Sequence, residues 1–345
     1  MQSLRSQVFN RAQSLDNGIS ISWLEQTWVK QPLDEAGPQK ADFELLKKLG
    51  FKSIRLPVAF ARFEAENIPP EQIFNRIDKI LRQCNSYGFK LVIDYHYGKL
   101  NDTNYLTETP KIIDTWLKIT KRYKREHAGN LFFELYNEPP KINPKVWKDA
   151  AYNIVTAIRK VDKQRTLIIG ASNYNSIYEL SRFERLADEN IIYTFHFYEP
   201  FFFTHQGAGW VGDQVATTGV SFPYNAEIFP ALNPKAKGTA GEINYNLYKL
   251  DGNEQSINDK LQIVKQWASK YQVPIICGEY GVYNKYADID SRCRYIKAVR
   301  TALKKIGIPG MLWDYDTTFS VFMGKPALAT LPACMQDAIG YRPVK

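Results

Sequence analysis

The sequence predicts an α/β chain, residues 1–345, that closes as one (β/α)8 barrel domain with an extended aromatic-rich loop after the sixth strand. Three observations predict it. Short apolar runs alternate with amphipathic stretches along the whole chain. Eight such runs are present. Several helical stretches also end on a glycine that is followed at once by an apolar residue and a new run, as in Leu49-Gly50-Phe51, Tyr87-Gly88-Phe89 and Ile306-Gly307-Ile308. A glycine can take the left-handed conformation that stops a helix, so each unit reads as helix, stop, strand.

The eight expected strands are Gly18–Ser22, Lys52–Pro57, Lys90–Asp94, Leu131–Tyr136, Thr166–Gly170, Ile191–Phe195, Val273–Cys277 and Gly310–Trp313. Between them, apolar residues recur at steps of three and four. One set is Phe74, Ile77, Leu81 and Cys84. A second is Trp147, Ala151, Ile154, Ile158 and Val161. A third is Ile257, Leu261, Val264, Ala268 and Tyr271. That period places each set on one helical face. A doubly wound open sheet is the alternative, but it calls for a glycine-rich turn after the first strand, and Ser20-Ile21-Ser22-Trp23 is not one. The longest interval between units, Tyr198 to Gly252, is rich in Gly, Pro, Asn and aromatics and is expected to lie over the barrel mouth.

Composition narrows the function classes. An apolar fraction of 44% supports a sizeable core. Aromatics reach 14%, with 21 Tyr and 7 Trp, enough both to fill a core and to line a surface for flat ligands. The net charge of +9 raises the question of an acidic partner. Its densest stretch, Lys118, Lys121, Arg122, Lys124 and Arg125, shares a helix with Ile112, Trp116, Ile119 and Tyr123 on the opposite face. That is the pattern of an outer helix with a solvated side, and no phosphate-binding loop or zinc-finger spacing accompanies it, so no nucleic-acid partner is expected. Cys84 and Cys277 fall in apolar patterns and are expected as packed thiols, whereas Cys293 and Cys334 leave pairing open. Met1-Gln2-Ser3-Leu4-Arg5-Ser6 lacks the apolar core of a signal peptide, and no run has transmembrane length.

Polar residues cluster where the apolar runs break off. Arg55 lies near the end of the second strand. Asp94-Tyr95-His96-Tyr97 follows the third, Asn137-Glu138 the fourth, His196-Phe197-Tyr198 the sixth, Glu279 the seventh and Trp313 the eighth. A barrel gathers these strand ends at one face. Arg55, inside an apolar strand, calls for a carboxylate partner. Two glutamates at a barrel mouth are the equipment for cleaving a glycosidic bond with retention. Glu134, Asp94 and Glu25 are read differently: the first as a structural acid, the second as a supporting partner, the third as a rim residue. Four histidines, His96, His127, His196 and His205, show no His-Glu-x-x-His spacing, so no metal or other cofactor is expected.

With these residues in place, the chain resembles glycoside hydrolase family 5, the cellulase family of the retaining (β/α)8 clan, over roughly residues 18–313. The family pattern is met by Arg55, His96, Asn137, Glu138, His196, Tyr198, Glu279 and Trp313. The Phe203–Ala208 segment is similar to a loop of bacterial members. One departure is Tyr97, where many relatives carry a second histidine; it is expected to alter sugar contacts. The resemblance implies Glu138 as general acid/base and Glu279 as nucleophile. Arg55 and Tyr198 would support Glu279. Asn137 would meet the sugar 2-hydroxyl, His96 and His196 would orient groups, and Trp313 would face the sugar. Trp23, Tyr97 and Trp210 are expected at the subsite rim.

The implied activity is a retaining endo-β-1,4-glucanase acting as a monomer on a β-glucan polysaccharide or oligosaccharide. Mannanase, xyloglucanase, β-1,3-glucanase and transglycosylase variants share the same residues. A non-catalytic carbohydrate-binding barrel would be expected to lose one of the two glutamates. The polymeric substrate places the protein outside the cytoplasm, secreted or periplasmic, although no export signal is read. Both glutamate side chains are expected to be open to solvent in a cleft.

Overall fold

A computed structural model describes residues 3–25 and 39–342; Met1 and Gln2 of the N-terminal segment lie outside them. Eight parallel strands close into a barrel in simple sequence order. They are β1 Gly18–Ser20, β2 Ser53–Val58, β3 Lys90–Tyr95, β4 Leu131–Glu134, β5 Leu167–Gly170, β6 Ile191–His196, β7 Ile275–Tyr280 and β8 Gly310–Leu312. Each overlaps an expected run. The largest displacement is at β7, which begins two residues later and extends through Gly278, Glu279 and Tyr280. The pairing of β7 shifts register against both neighbours, between Phe195 and His196 on β6 and between Cys277 and Tyr280 on its own strand facing β8. An extra residue at such a shift re-aims the side chains that follow. Glu279 therefore sits inside the strand, level with His196.

The outer helices form for the reasons their pattern suggests. Pro70–Tyr87 starts with proline in its first turn, where the missing N–H costs nothing, and stops at Gly88 with φ 76°. Its inner face buries Phe74, Ile77, Leu81 and Cys84, as the period requires. Helix Pro144–Val161 buries Trp147, Ala151, Ile154 and Ile158, and Glu254–Tyr271 buries Ile257, Leu261, Val264 and Ala268. Val161 and Tyr271, the last members of their stripes, are half-buried at the helix ends. On Tyr105–Tyr123 the apolar side faces inward, while Arg122 pairs with Glu71 and Asp78 of the neighbouring helix and Lys118 pairs with Asp114. The basic stretch is thus the outer surface of a barrel helix.

The barrel interior has an apolar floor. Val92, Phe132, Ile168, Ile192, Ile276 and Met311, one from each of six strands, pack together with Val8, Ala12 and Leu15. The last three come from helix Leu4–Gln13 and the turn after it, which close the bottom. The interval after β6 is not a structureless loop. It carries short turns, a four-residue helix Phe201–Thr204 and a twelve-residue helix Ala240–Asp251. Most of its aromatics serve packing: Phe202, Phe229 and Tyr248 stack among themselves and join the main core. Cys293 and Cys334 are bonded, Cα to Cα 5.7 Å, and tie helix Ala333–Ile339 to Ile289–Lys305; Cys84 and Cys277 are buried free thiols.

Candidate active site

Two residues above the floor, the interior of the same strands becomes charged. Arg55 of β2 is fully buried. Its Nε and Nη2 donate to both oxygens of Glu134 at 2.7 and 2.9 Å, a bidentate pairing. Nη1 donates to Glu279 Oε1 at 2.6 Å, and Nη2 also reaches Asn137 Oδ1 at 2.7 Å and Asp94 at 3.0 Å. One cation thus organises three buried carboxyl groups where a single partner was expected. Glu134 and Asp94 lie side by side in the β3–β4 register and both pair with the guanidinium.

Both expected catalytic glutamates meet above this platform. One carboxylate oxygen each of Glu138 and Glu279, with a ring nitrogen of His196, lie within 4.8 Å of one another. The expectation of two open side chains needs correction. Glu138 keeps 30% of its side chain exposed, but Glu279 keeps only 5%. At the β7 register shift Glu279 lies against Arg55, and Tyr198 donates its hydroxyl to Oε2 at 2.8 Å.

The two carboxyls sit in unlike surroundings. Burial pushes the Glu138 carboxyl up to about 7, against the pull of His96 and Arg55. Burial also pushes Glu279 upward, opposed by His196 and Arg55 and reinforced by Glu138. Contact geometry separates them. Each Glu279 oxygen accepts a hydrogen bond, one from Arg55 and one from Tyr198, an arrangement that favours the ionised form. Among the described residues Glu138 is met by His196 Nδ1, at 2.7 Å. Two acids this close do not both ionise freely, and these contacts favour the charge on Glu279.

Both histidines are held neutral: burial lowers His96 to about 3 and His196 to about 4, and Arg55 adds to the effect at each. His96 Nδ1 faces Asp94 at 2.6 Å, and its Nε2 faces the amide nitrogen of Asn137 at 3.3 Å. An amide N–H can only donate, so Nε2 holds the lone pair and Nδ1 the proton. Asp94, pushed up to about 7 by burial against the pull of Arg55, accepts it. Trp313 lies parallel to the His96 ring at 5.7 Å. The peptide bond from Trp313 to Asp314 is cis.

A cleft of about 920 Å³ opens over these groups. Tyr97, Trp210, Trp313 and Glu25 line it, with His205, Asn284 and the run Asp316–Phe319. Trp23 does not. It packs edge-on to Phe43 and Tyr315 and donates its indole N–H to Asp316 at 3.1 Å, so it holds a lining residue in place. Glu25 is buried, not a rim residue, and takes the hydroxyl of Tyr97. Tyr97 itself is half exposed, with φ 55°. His127 is exposed and does not line the cleft. Sequence reasoning gave no site role to His205, whose ring stacks on Phe201 at 4.1 Å, and did not single out Asn175, which enters the site from the β5 turn.

Glu138, His196 and Glu279 are also the group of ligating side chains that could share an ion among the described residues. The Arg55 guanidinium already lies against Glu279 of that group.

A closed parallel barrel that carries two carboxyl groups over a buried arginine defines a (β/α)8 glycoside hydrolase. Comparison with known proteins agrees. The model of the cellulase family, glycosyl hydrolase family 5, matches residues 13–318, and the chain belongs to that family. It is 32% identical over 323 residues to Endoglucanase C of Acetivibrio thermocellus, covering 88% of this chain and 91% of that protein. It is 30% identical over 336 residues to Endoglucanase 3 of Fibrobacter succinogenes, covering 89% of this chain but only 50% of that longer protein. Among solved structures, a hyperthermophilic endo-β-1,4-glucanase superposes with a TM-score of 0.79 at 24% identity over 96% of this chain and 99% of its own, which bears on the fold alone. Endoglucanase Cel5A of Thermotoga maritima superposes with a TM-score of 0.76 at 25% identity over 96% and 99%.

Proposed function

We propose that the chain is an endo-β-1,4-glucanase that cleaves β-glucan by double displacement, with Glu279 as nucleophile and Glu138 as general acid and then base. The observation that carries this reading is the proximity of the two carboxyls, with oxygens within 4.8 Å. Inverting enzymes need about 6.5–9.5 Å to admit a water between the groups, and retaining enzymes about 5–5.5 Å. The charge arrangement supports the roles. Glu279, ionised against Arg55, attacks the anomeric carbon while Glu138 gives its proton to the departing oxygen. Esterification of Glu279 removes its charge, and Glu138, now deprotonated, takes a proton from the incoming water. Asn137, fixed by Arg55 and His96, is placed for the 2-hydroxyl of the sugar, and Trp313 offers a face beside it.

The choice of β-1,4-glucan rests on the endoglucanase names of the relatives and on an open, aromatic-lined cleft suited to a chain. No helix among the described residues is long and apolar enough to cross a membrane, and a polymeric substrate places the enzyme's work outside the cytoplasm. The test is reducing-end release from carboxymethylcellulose, mannan, xyloglucan and laminarin by the wild type and Glu279→Gln, with viscosity followed in parallel. Rapid viscosity loss on carboxymethylcellulose, absent in the variant, is the expected result. Activity confined to another polymer would keep the mechanism and change the substrate. Equal activity in the variant would remove Glu279 from its role.

A further inference from the structure

After β5 the chain turns through Asn173, Tyr174 and Asn175, all with left-handed φ, at 57°, 62° and 55°. Outside glycine this conformation is unfavourable, least so for asparagine. The turn is pinned to the residues that follow Glu138: the N–H of Asn173 donates to Pro140 O at 2.9 Å and that of Tyr174 to Pro139 O at 2.8 Å. It delivers the Asn175 side chain, fully buried, into the barrel mouth. Gly170 makes the room, since a Cβ there would lie 1.8 Å from Asn175 Oδ1.

The amide nitrogen of Asn175 donates to the main-chain carbonyl of Asn137 and faces His196 Nε2 at 3.3 Å. A carbonyl oxygen only accepts, so nitrogen and not oxygen must occupy that side of the amide. The same nitrogen has a second hydrogen, and His196 Nε2 is its acceptor. The His196 proton then sits on Nδ1, 2.7 Å from Glu138 Oε1.

We propose that Asn175 is a positioning residue for the acid/base group: it holds His196 as the Nδ1–H tautomer, which occupies Oε1 of Glu138 and leaves Oε2 to carry the proton to the leaving oxygen. This rests on the assignment of Glu138 as the acid. A purely structural role accounts poorly for the arrangement. Asn175 Oδ1 has no donor among the described residues, the backbone is unfavourable at three successive positions, and the strand accepts a glycine to admit the amide. Each feature costs stability, and their joint product is the position of one N–H pair.

The test is Asn175→Gly, which keeps the left-handed backbone unstrained and deletes the amide. Its kcat/KM is measured on a cello-oligosaccharide, whose leaving group needs a proton, and on 2,4-dinitrophenyl β-cellobioside, whose leaving group does not. The expected result is a loss of roughly 10–100-fold on the first and less than about threefold on the second. Nitrogen-15 NMR of the imidazoles should show His196 moving from Nδ1–H toward Nε2–H. Equal losses on both substrates, no loss on either, or an unchanged tautomer would overturn the proposal. Should the glycine variant fail to fold in a thermal melt, Asn175→Asp keeps the shape and reverses the polarity, with the same signature expected and the same results overturning it. Glu138→Ala runs alongside. Equal loss there on both substrates removes the acid assignment itself, and the role of Asn175 with it. A leaving-group signature in Glu138→Ala without one in Asn175→Gly overturns the role of Asn175 alone.

Discussion

The floor and the mouth of this barrel are built from the same strands, two residues apart, and they obey opposite rules. Val92 and Phe132 on the floor are hydrocarbon, while Asp94 and Glu134 directly above them are ionisable and equally buried. Ile276 packs in the floor, and three residues on Glu279 faces the cleft. The floor gains stability from every atom it removes from water. The mouth removes four charged groups from water and recovers the cost through a single shared arginine. The strand thus divides labour along its own length, with stability at one end and chemistry at the other.

The sharpest way to break this comparison is Glu279→Ala. Turnover should fall on the order of 10⁵-fold, as for an enzyme that loses its covalent nucleophile. The melting temperature should hold, because Arg55 keeps Glu134 and Asp94 as partners. Added azide should restore part of the rate and yield a glycosyl azide of inverted configuration. A large drop in melting temperature would mean that the mouth is structural after all.

Arg55→Met should damage both properties. It strands three carboxyls without their cation, and breaking a buried pair of this kind costs about 3–5 kcal/mol. Urea denaturation should show that loss, and the folded fraction should be nearly inactive. Phe132→Ala is the counterpart on the floor. A buried phenylalanine truncated in a packed layer costs about 3–5 kcal/mol as well. Activity per folded molecule should stay within about twofold of wild type, since the cavity lies below the charged layer. If Phe132→Ala lost activity in proportion to Arg55→Met, the axial division would be wrong.

The two halves were also unequally legible. The floor follows from local pattern: apolar runs name the strands, helical stripes name the outer faces, and Gly50, Gly88 and Gly307 mark the stops. The mouth was legible where polar residues interrupt apolar runs, so Arg55, Asn137, Glu138, His196 and Glu279 could be named. It was illegible where position depends on a departure from regular geometry. Glu279 reads as a residue after the strand, and only the register shift makes it a buried strand residue. Asn175 reads as one polar residue in a loop, and its burial depends on three left-handed residues and the absent side chain of Gly170. Trp23 reads as a subsite-rim residue because aromatic residues are ambiguous between core and ligand, and here the neighbours Phe43 and Tyr315 decide for packing.

The smallest effect tests the comparison by pH. Burial pushes Glu25 up to about 8, with Asp314 and Glu279 adding to the shift and the Tyr97 hydroxyl opposing it. Burial likewise pushes Asp314 to about 7. A carboxyl whose folded pKa lies above its unfolded value of about 4.3 binds its proton more tightly in the native state. The stability it contributes is complete below that unfolded value and is lost as pH rises through the folded one. Wild-type stability to urea should therefore decline between about pH 4.3 and 8. Glu25→Gln cannot ionise, and the amide can still accept from Tyr97. It should flatten the decline across that interval, with no comparable effect below it. Phe132→Ala should lower the whole curve without changing its slope. An unchanged slope in Glu25→Gln would mean that Glu25 is charged in the folded protein at neutral pH, and that the mouth tolerates more buried charge than Arg55 alone can account for.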